Sequence, residues 1–279
     1  MPIPISVVIP VKNEELNLRH CLEALRKFSE VVVVDSSSTD RTLEIAEEMN
    51  AEIVNFDWNG QFPKKRNWIL DHHSLKNDWV LFLDADEVVD DRFVEELQAA
   101  IQNTECVGFW MNYTNYFLGR RLRFGVPQRK LACFKRSAGR YERIDEDAWS
   151  GLDMEVHEHP ILDGKVGELH TPVDHRDFRG LDRFLIRHID YAKWEASRYL
   201  ELTQDSNGDR RKLTLRQTFK YRNIEKSWFA VFYFFYTYVI RLGCLDGRAG
   251  FEYAYYKRWY FHTVRVIISE RKSRSFGRS

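Results

Sequence analysis

Asp84 and Asp86 stand on either side of Ala85, directly after the apolar run WVLFL at residues 79–83. A carboxylate at the end of a buried strand needs an opposing charge, because an unpaired one is costly to take out of water. Alternation along an extended chain points Asp84 and Asp86 the same way, so that two carboxylates can face one ligand. That arrangement suits Mg²⁺ or Mn²⁺, whose remaining coordination would come from phosphate oxygens and water. A protein cation or water is the alternative partner. Glu87 is left without an assigned role, and Asp90 and Asp91 read as the start of the next helix.

Two more apolar runs end in polar groups. One delivers Pro10-Val11-Lys12-Asn13-Glu14 and the other Asp35-Ser36-Ser37-Ser38-Thr39-Asp40. Each could simply begin a helix. Three such ends on one edge of one sheet point instead to a shared site.

The elements that must position these groups follow from the pattern. Runs at 5–11, 31–34, 51–56 and 79–83 read as buried strands, alternating with helical spacing at 16–28, 39–50 and 64–73. Uninterrupted apolar strands between amphipathic helices predict a mostly parallel α/β sheet covered on both faces. Ligands of such sheets bind at the carboxyl ends of the strands. Strand-like pieces at 109–113 and 131–135 sit in an irregular middle region, which turns helical from 178 to 202. The polar stretch QDSNGDRRK at 204–212 reads as a domain junction or a mobile loop.

Composition narrows the class. With 44% hydrophobic and 30% charged residues the 279-residue chain is globular rather than disordered. Cys21, Cys106, Cys133 and Cys244 are scattered without metal-ligand spacing, so free thiols are expected. The opening MPIPISVVIP enters a strand directly, and no leader is expected. No stretch reaches the roughly 18 apolar residues of a membrane-spanning helix. The net charge of zero conceals an asymmetry: residues 210–279 carry 16 Lys+Arg against 4 Asp+Glu, and residues 1–209 carry 26 against 38.

Taken together, VVIPVKNEE, VVVVDSSSTDRT, FPKKRNWIL and WVLFLDADE resemble the motifs of the family 2 inverting glycosyltransferases, in particular bacterial lipopolysaccharide-core glucosyltransferases. The resemblance covers roughly residues 3–200. It departs where Asp35-Ser36-Ser37-Ser38 replaces the commoner Asp-Asp-Gly-Ser. It implies a GT-A fold, a Rossmann-like sheet flanked by helices, and a nucleotide-sugar donor such as a UDP-sugar. By the same resemblance Pro10, Asn13 and Glu14 line the nucleoside pocket, with Asp35 and Ser37 at the base or ribose. Lys64, Arg66 and Asn67 reach base and phosphates, whereas Lys65 is read as part of a solvated helix face. Asp84, followed by Ala85, meets ribose or metal, and Asp86 holds the divalent cation at the diphosphate. His175 is a further candidate ligand, and Arg129 and Lys135 are candidate diphosphate contacts.

Inverting transfer needs a carboxylate base to take the acceptor hydroxyl's proton. Glu158, in Val156-His157-Glu158, matches the family's His-Glu and is assigned that role, with His157 and His159 shaping its surroundings. Asp145, Glu146, Asp147, Asp153 and Glu155 are alternatives. Residues 1–205 are expected to form the catalytic domain and residues 206–279 a helical extension. Trp228–Leu242 holds one Trp, four Phe and three Tyr among basic neighbours, which suits an anionic membrane surface; packing on the catalytic domain or a homo-oligomer contact is the alternative. No nucleic-acid-binding module accompanies it. The expected acceptor is a lipid-linked or lipopolysaccharide-core saccharide at the cytoplasmic face of the inner membrane. A nucleotidyltransferase would need a Gly-rich basic loop after the first strand, which is missing. A non-catalytic membrane scaffold is the other alternative.

Overall fold

The computed structural model describes residues 2–102, 105–144, 151–154, 158–175, 180–203 and 213–276. The predicted alternation appears as β1 (Ile3–Val11), α1 (Leu18–Ala24), β2 (Phe28–Asp35), α2 (Thr42–Glu48), β3 (Glu52–Asn55), α3 (Lys65–His72) and β4 (Trp79–Phe82). α1 is shorter than its apolar spacing suggests. Phe28 fits the helical stripe, but it is taken by β2, where it pairs with Ile3.

The chain continues through β5 (Glu87–Val88), α4 (Asp91–Gln102), β6 (Cys106–Phe117), β7 (Arg120–Leu122), β8 (Arg129–Lys135), β9 (Gly139–Tyr141), β10 (Pro160–Leu162) and β11 (Lys165–His175). The sheet order is β3-β2-β1-β4-β8-β6-β11-β5, with β7 paired to β6, while β9 and β10 form a separate two-stranded ribbon. β3, β2, β1 and β4 are mutually parallel, β8 is antiparallel to both of its neighbours, and β11 is parallel to β6. The sheet is therefore mixed. β1, β2 and β4 are buried along almost their whole length, whereas β6 and β11 interleave buried and half-buried positions. One-sided burial explains why the middle of the sequence loses the simple apolar signature of its beginning.

The core of this sheet unit is built from branched aliphatic and aromatic side chains, among them Val7, Ile9, Val33, Leu81, Phe82 and Phe134. Phe82 stacks on Phe134 with centroids 6.0 Å apart and meets Tyr141 edge-on. Asp90 begins α4 as expected, its Oδ1 accepting the Phe93 amide at 2.8 Å, and Phe93, Val94 and Leu97 face inward. All four cysteines are free, in line with their spacing.

Compactness separates the chain into Met1–Asn115 with Pro127–Arg176, and Tyr116–Val126 with Asp177–Ser279. This division differs from one at residue 205, and the polar stretch 204–212 lies outside the described residues. The second unit holds α5 (Gly180–Thr203), α6 (Leu215–Asn223), α7 (Ser227–Phe235), a π-helical turn at Tyr236–Ile240, a 3-10 turn at Gly243–Asp246 and α8 (Gly247–Phe276). Ala192 and Ala196 of α5 share a core with Phe229, Phe261, Val264 and Ile268, which ties α5 to the C-terminal helices. α6 opens on a capping box in which Thr214 and Gln217 satisfy each other's amides.

Gly139 shows how tightly the β9–β10 ribbon is built. A Cβ there would lie 1.9 Å from the Ile161 carbonyl oxygen, whereas at Gly151 it would meet nothing within 4 Å. Gly139→Ala is expected to lower unfolding free energy by about 1–3 kcal/mol, and Gly151→Ala by about 0.5 kcal/mol or less. Chemical denaturation of the two variants checks this; equal stabilities would show that the ribbon yields freely.

Candidate active site

Because β2, β1 and β4 are parallel neighbours, their carboxyl ends share one edge. The loops after β1 and β2 are stitched together there. Asn13, in the left-handed region at φ +56°, accepts the Thr39 amide on its side-chain oxygen at 2.8 Å, and its own amide donates to Ser38 Oγ at 2.8 Å. The Glu14 amide donates to Thr42 Oγ1, also at 2.8 Å, and Glu14 accepts from Asn17. Asp35 is buried and accepts the Ser38 amide and hydroxyl, while Ser37 takes a left-handed turn. Pro10, Asn13, Glu14, Asp35 and Ser37 thus gather at one edge.

At the end of β4 the backbone does not stay extended. The Glu87 amide donates to the Asp84 carbonyl at 2.9 Å, which closes a turn over Asp84-Ala85-Asp86-Glu87. The two aspartates therefore go to different partners. Asp84 Oδ1 accepts from Arg66 at 2.8 Å, and Oδ2 accepts from Lys130. Burial alone would raise the Asp84 carboxyl, but the Lys130 and Arg66 charges outweigh it and hold the group well below the usual carboxylate range. Asp86 Oδ2 lies 3.5 Å from His175 Nε2. Burial would lower the His175 imidazole, and the Asp86 hydrogen bond and charge raise it.

Glu87 has a definite place in this cluster. Its side chain is 1% exposed, pairs with Lys130, and accepts the Asp84 amide at 3.0 Å and the Tyr113 hydroxyl at 3.3 Å. Burial pushes its carboxyl up, and the Lys130 ammonium opposes that shift. Lys130 also sits over the Tyr113 ring, 5.1 Å from its centroid.

α3 supplies the cations. Lys64, Lys65, Arg66 and Asn67 are all buried, and each holds a different segment. Lys64 Nζ pairs with Glu158 at 2.8 Å, both side chains being nearly inaccessible. Lys65 Nζ donates to the Val11 carbonyl at 2.9 Å and faces Asp153 at 3.4 Å. Burial draws the Lys65 ammonium down and Asp153 counters it. Arg66 reaches Asp84 and lies over the Tyr141 ring at 5.4 Å. Asn67 exchanges two 3.0 Å hydrogen bonds with the Tyr141 backbone and so braces β9. The Lys65 expectation is corrected: it is an interior strut, because the end of β1 presents it with a carbonyl and residue 153 with a carboxylate.

Two more expectations change. Arg129 and Lys130 are consecutive on β8, so their side chains leave opposite faces. Arg129 lies over Trp110 at 4.9 Å and 3.7 Å from Glu168, whereas Lys130 reaches Asp84. The cation at the acidic turn is therefore Lys130, the chain neighbour of Arg129. Lys135 lies over Trp79 at 5.4 Å, at the other end of β8. The two aspartate carboxylates of this turn face different partners: both Asp84 oxygens are taken by protein cations, whereas Asp86 meets His175. Asp86 with His175 fits a divalent cation that draws its other oxygens from a substrate and water. Among the described residues no three His, Cys, Asp or Glu gather in metal-binding geometry. Asp145, Glu146, Asp147, Glu155 and His157 lie outside the described residues.

The Glycosyl transferase family 2 model matches residues 6–159. The lipopolysaccharide core biosynthesis glycosyltransferase LpsC of Rhizobium meliloti is 30% identical over 183 residues, 61% of this chain and 61% of that protein. An uncharacterized glycosyltransferase of Rickettsia bellii is 36% identical over 95 residues, 34% of this chain and 31% of that one. The chain thus spans less than two thirds of these relatives. Among solved structures, glucosyl-3-phosphoglycerate synthase from Mycobacterium tuberculosis in complex with Mn²⁺ and UDP-glucose aligns with a TM-score of 0.32 and 24% identity, covering 38% of this chain and 42% of that chain.

Lys130→Met is expected to leave the buried Glu87 and its neighbour Asp84 short of positive charge, costing about 1–3 kcal/mol of stability. Adding Glu87→Gln to that variant should restore part of the loss, and Arg129→Ala should cost about 0.5 kcal/mol or less. Denaturant unfolding of the three variants reads this directly. A Lys130→Met protein as stable as Arg129→Ala would remove Lys130 from its place in the cluster.

Proposed function

Because the chain belongs to glycosyl transferase family 2 and has its GT-A fold, we propose that it moves a hexose from a UDP-sugar, with inversion, to a saccharide of a lipopolysaccharide core or another lipid-linked glycan. The membership replaces the nucleotidyltransferase reading. One observation carries the proposal: the ends of β1, β2 and β4 bring Asn13, Asp35 and the Asp84–Glu87 turn to the same edge, with the cations of α3 behind them.

The nucleoside lies against Pro10, Asn13, Glu14, Asp35 and Ser37, the diphosphate toward Asp86, His175 and the cations of Arg66 and Lys130. Asp86 and His175 would hold Mg²⁺ or Mn²⁺, which when bound helps neutralise the departing diphosphate. Asp84 fixes Arg66 and Lys130 in place. Glu158 takes the proton from the acceptor hydroxyl as its oxygen bonds to the anomeric carbon and the bond to the diphosphate breaks. Lys64 Nζ, paired with Glu158 at 2.8 Å, holds that carboxylate in position. With such an acceptor the reaction would take place at the cytoplasmic face of the inner membrane.

Glu158→Gln is expected to lower turnover about 10²–10⁴-fold while UDP-sugar binding persists. Asp86→Ala should lower binding and turnover together, with the unfolding midpoint near wild type. Isothermal titration with UDP-sugars in Mg²⁺ or Mn²⁺, alongside product release assays, separates the two. Undiminished turnover in Glu158→Gln would take the base role from Glu158, and lost donor binding would reassign it to the donor pocket.

A further inference from the structure

The second compact unit contains a surface assembled from two segments far apart in sequence. After Phe117 the chain turns at Leu118 and Gly119, both at positive φ, into β7 and on to Phe124. The amides of Arg123 and Phe124 donate to the Asp246 carboxylate at 2.9–3.1 Å, and the Gly125 amide donates to the Arg241 carbonyl at 2.8 Å. These bonds clasp the hairpin against the turn between α7 and α8.

That turn is itself closely packed. Leu242 adopts φ +58°, and a Cβ at Gly250 would lie 1.9 Å from the Gly243 carbonyl oxygen. The bend leaves large apolar side chains in water: Ile240 is 64% exposed and Leu245 61%, with Phe124, Phe235 and Leu242 also exposed. A fixed turn with outward leucine and isoleucine is unusual for a surface facing only water.

The surface is also strongly basic. Residues 116–126 and 235–248 contain Arg120, Arg121, Arg123, Arg241 and Arg248 and a single acid, Asp246, a net +4. All five arginines are exposed, and Arg248 alone has a nearby carboxylate described, Glu252 at 3.8 Å. The Asp246 carboxylate is occupied by backbone amides. A second copy of the same basic surface would be repelled, whereas an anionic lipid surface offers both apolar depth and negative headgroups. No single helix among the described residues is long and apolar enough to cross a membrane; Ser227–Ile240 and Gly243–Arg274 meet the requirement only as a pair bent by 72°.

We infer that the clasped hairpin and α7–α8 turn form a monotopic docking surface for an anionic bilayer, with Ile240, Leu242 and Leu245 entering the headgroup boundary and the arginines meeting lipid phosphates. The inference stands apart from the transfer reaction. It adds the 116–126 hairpin to a surface that sequence composition ascribes to the C-terminal region alone.

The test is co-sedimentation of the full chain with phosphatidylcholine vesicles, with and without phosphatidylglycerol. Binding is expected only with the anionic lipid and is expected to reverse in high salt. Ile240→Asp with Leu245→Asp should weaken it about tenfold or more. Neutralising Arg120, Arg121 and Arg241 to Gln should weaken it about fivefold per residue. Thermal unfolding near wild type would show these surface variants to be folded; if the paired aspartates unfold the chain, the three-arginine variant alone decides. Unchanged vesicle binding in folded variants overturns the inference, as does equal binding to neutral vesicles or retention in high salt. A wild-type dimer that the aspartates dissociate without touching vesicle binding also overturns it, and makes the surface a self-contact.

Discussion

Burying three cations in a row is the constraint on which this architecture depends. Lys64, Lys65 and Arg66 begin a helix whose amino end already carries partial positive charge, so every electrostatic tendency there is repulsive until anions arrive. They come from three places: Glu158, Asp153 and Asp84. Successive residues of a helix point about 100° apart, so consecutive side chains can reach different segments only because they radiate. α3 therefore acts as a hub, and the positions of β1's end, β4's end and the β9–β10 ribbon are linked through it.

The acidic turn divides its labour by the same logic. Asp84 and Glu87 are matched to Arg66 and Lys130, which makes them parts of the scaffold. Asp86 faces His175, a weaker and titratable partner, and so is the carboxylate of the turn best placed to change company when a ligand arrives. The carboxylates share a short segment but have different duties, because the turn at Asp84–Glu87 sends them to different neighbours.

What the sequence made legible follows from locality. Strands buried on both faces are continuous apolar runs, so β1, β2 and β4 could be read directly, as could the cap at Asp90. Lys65 could not: its partners are the carbonyl of Val11 and residue 153, and nothing nearby in the chain marks a lysine for burial. Alternation says that Arg129 and Lys130 face opposite ways, but which one faces the acids depends on the pairing of β8 with β4 and β6. The turn at Asp84–Glu87 breaks the alternation of β4, and nothing in the apolar run itself marks where extension ends. Glu87 carried no signal apart from following an apolar strand, and its burial is set by Lys130 and Tyr113.

The two-residue strand β5 has a consequence for how the molecule is made. Glu87 and Val88 pair with His175 and Asp174 of β11, so the acidic turn is anchored by a strand that ends far later in the chain. During vectorial synthesis all four motifs leave the ribosome well before that anchor does. Until residue 175 has emerged, Asp86 lacks its imidazole neighbour and the turn lacks its ladder. The nascent chain thus passes through a stage in which every recognisable signature is present and the centre is still unassembled, with closure waiting on a long-range pairing of the kind that folds slowly.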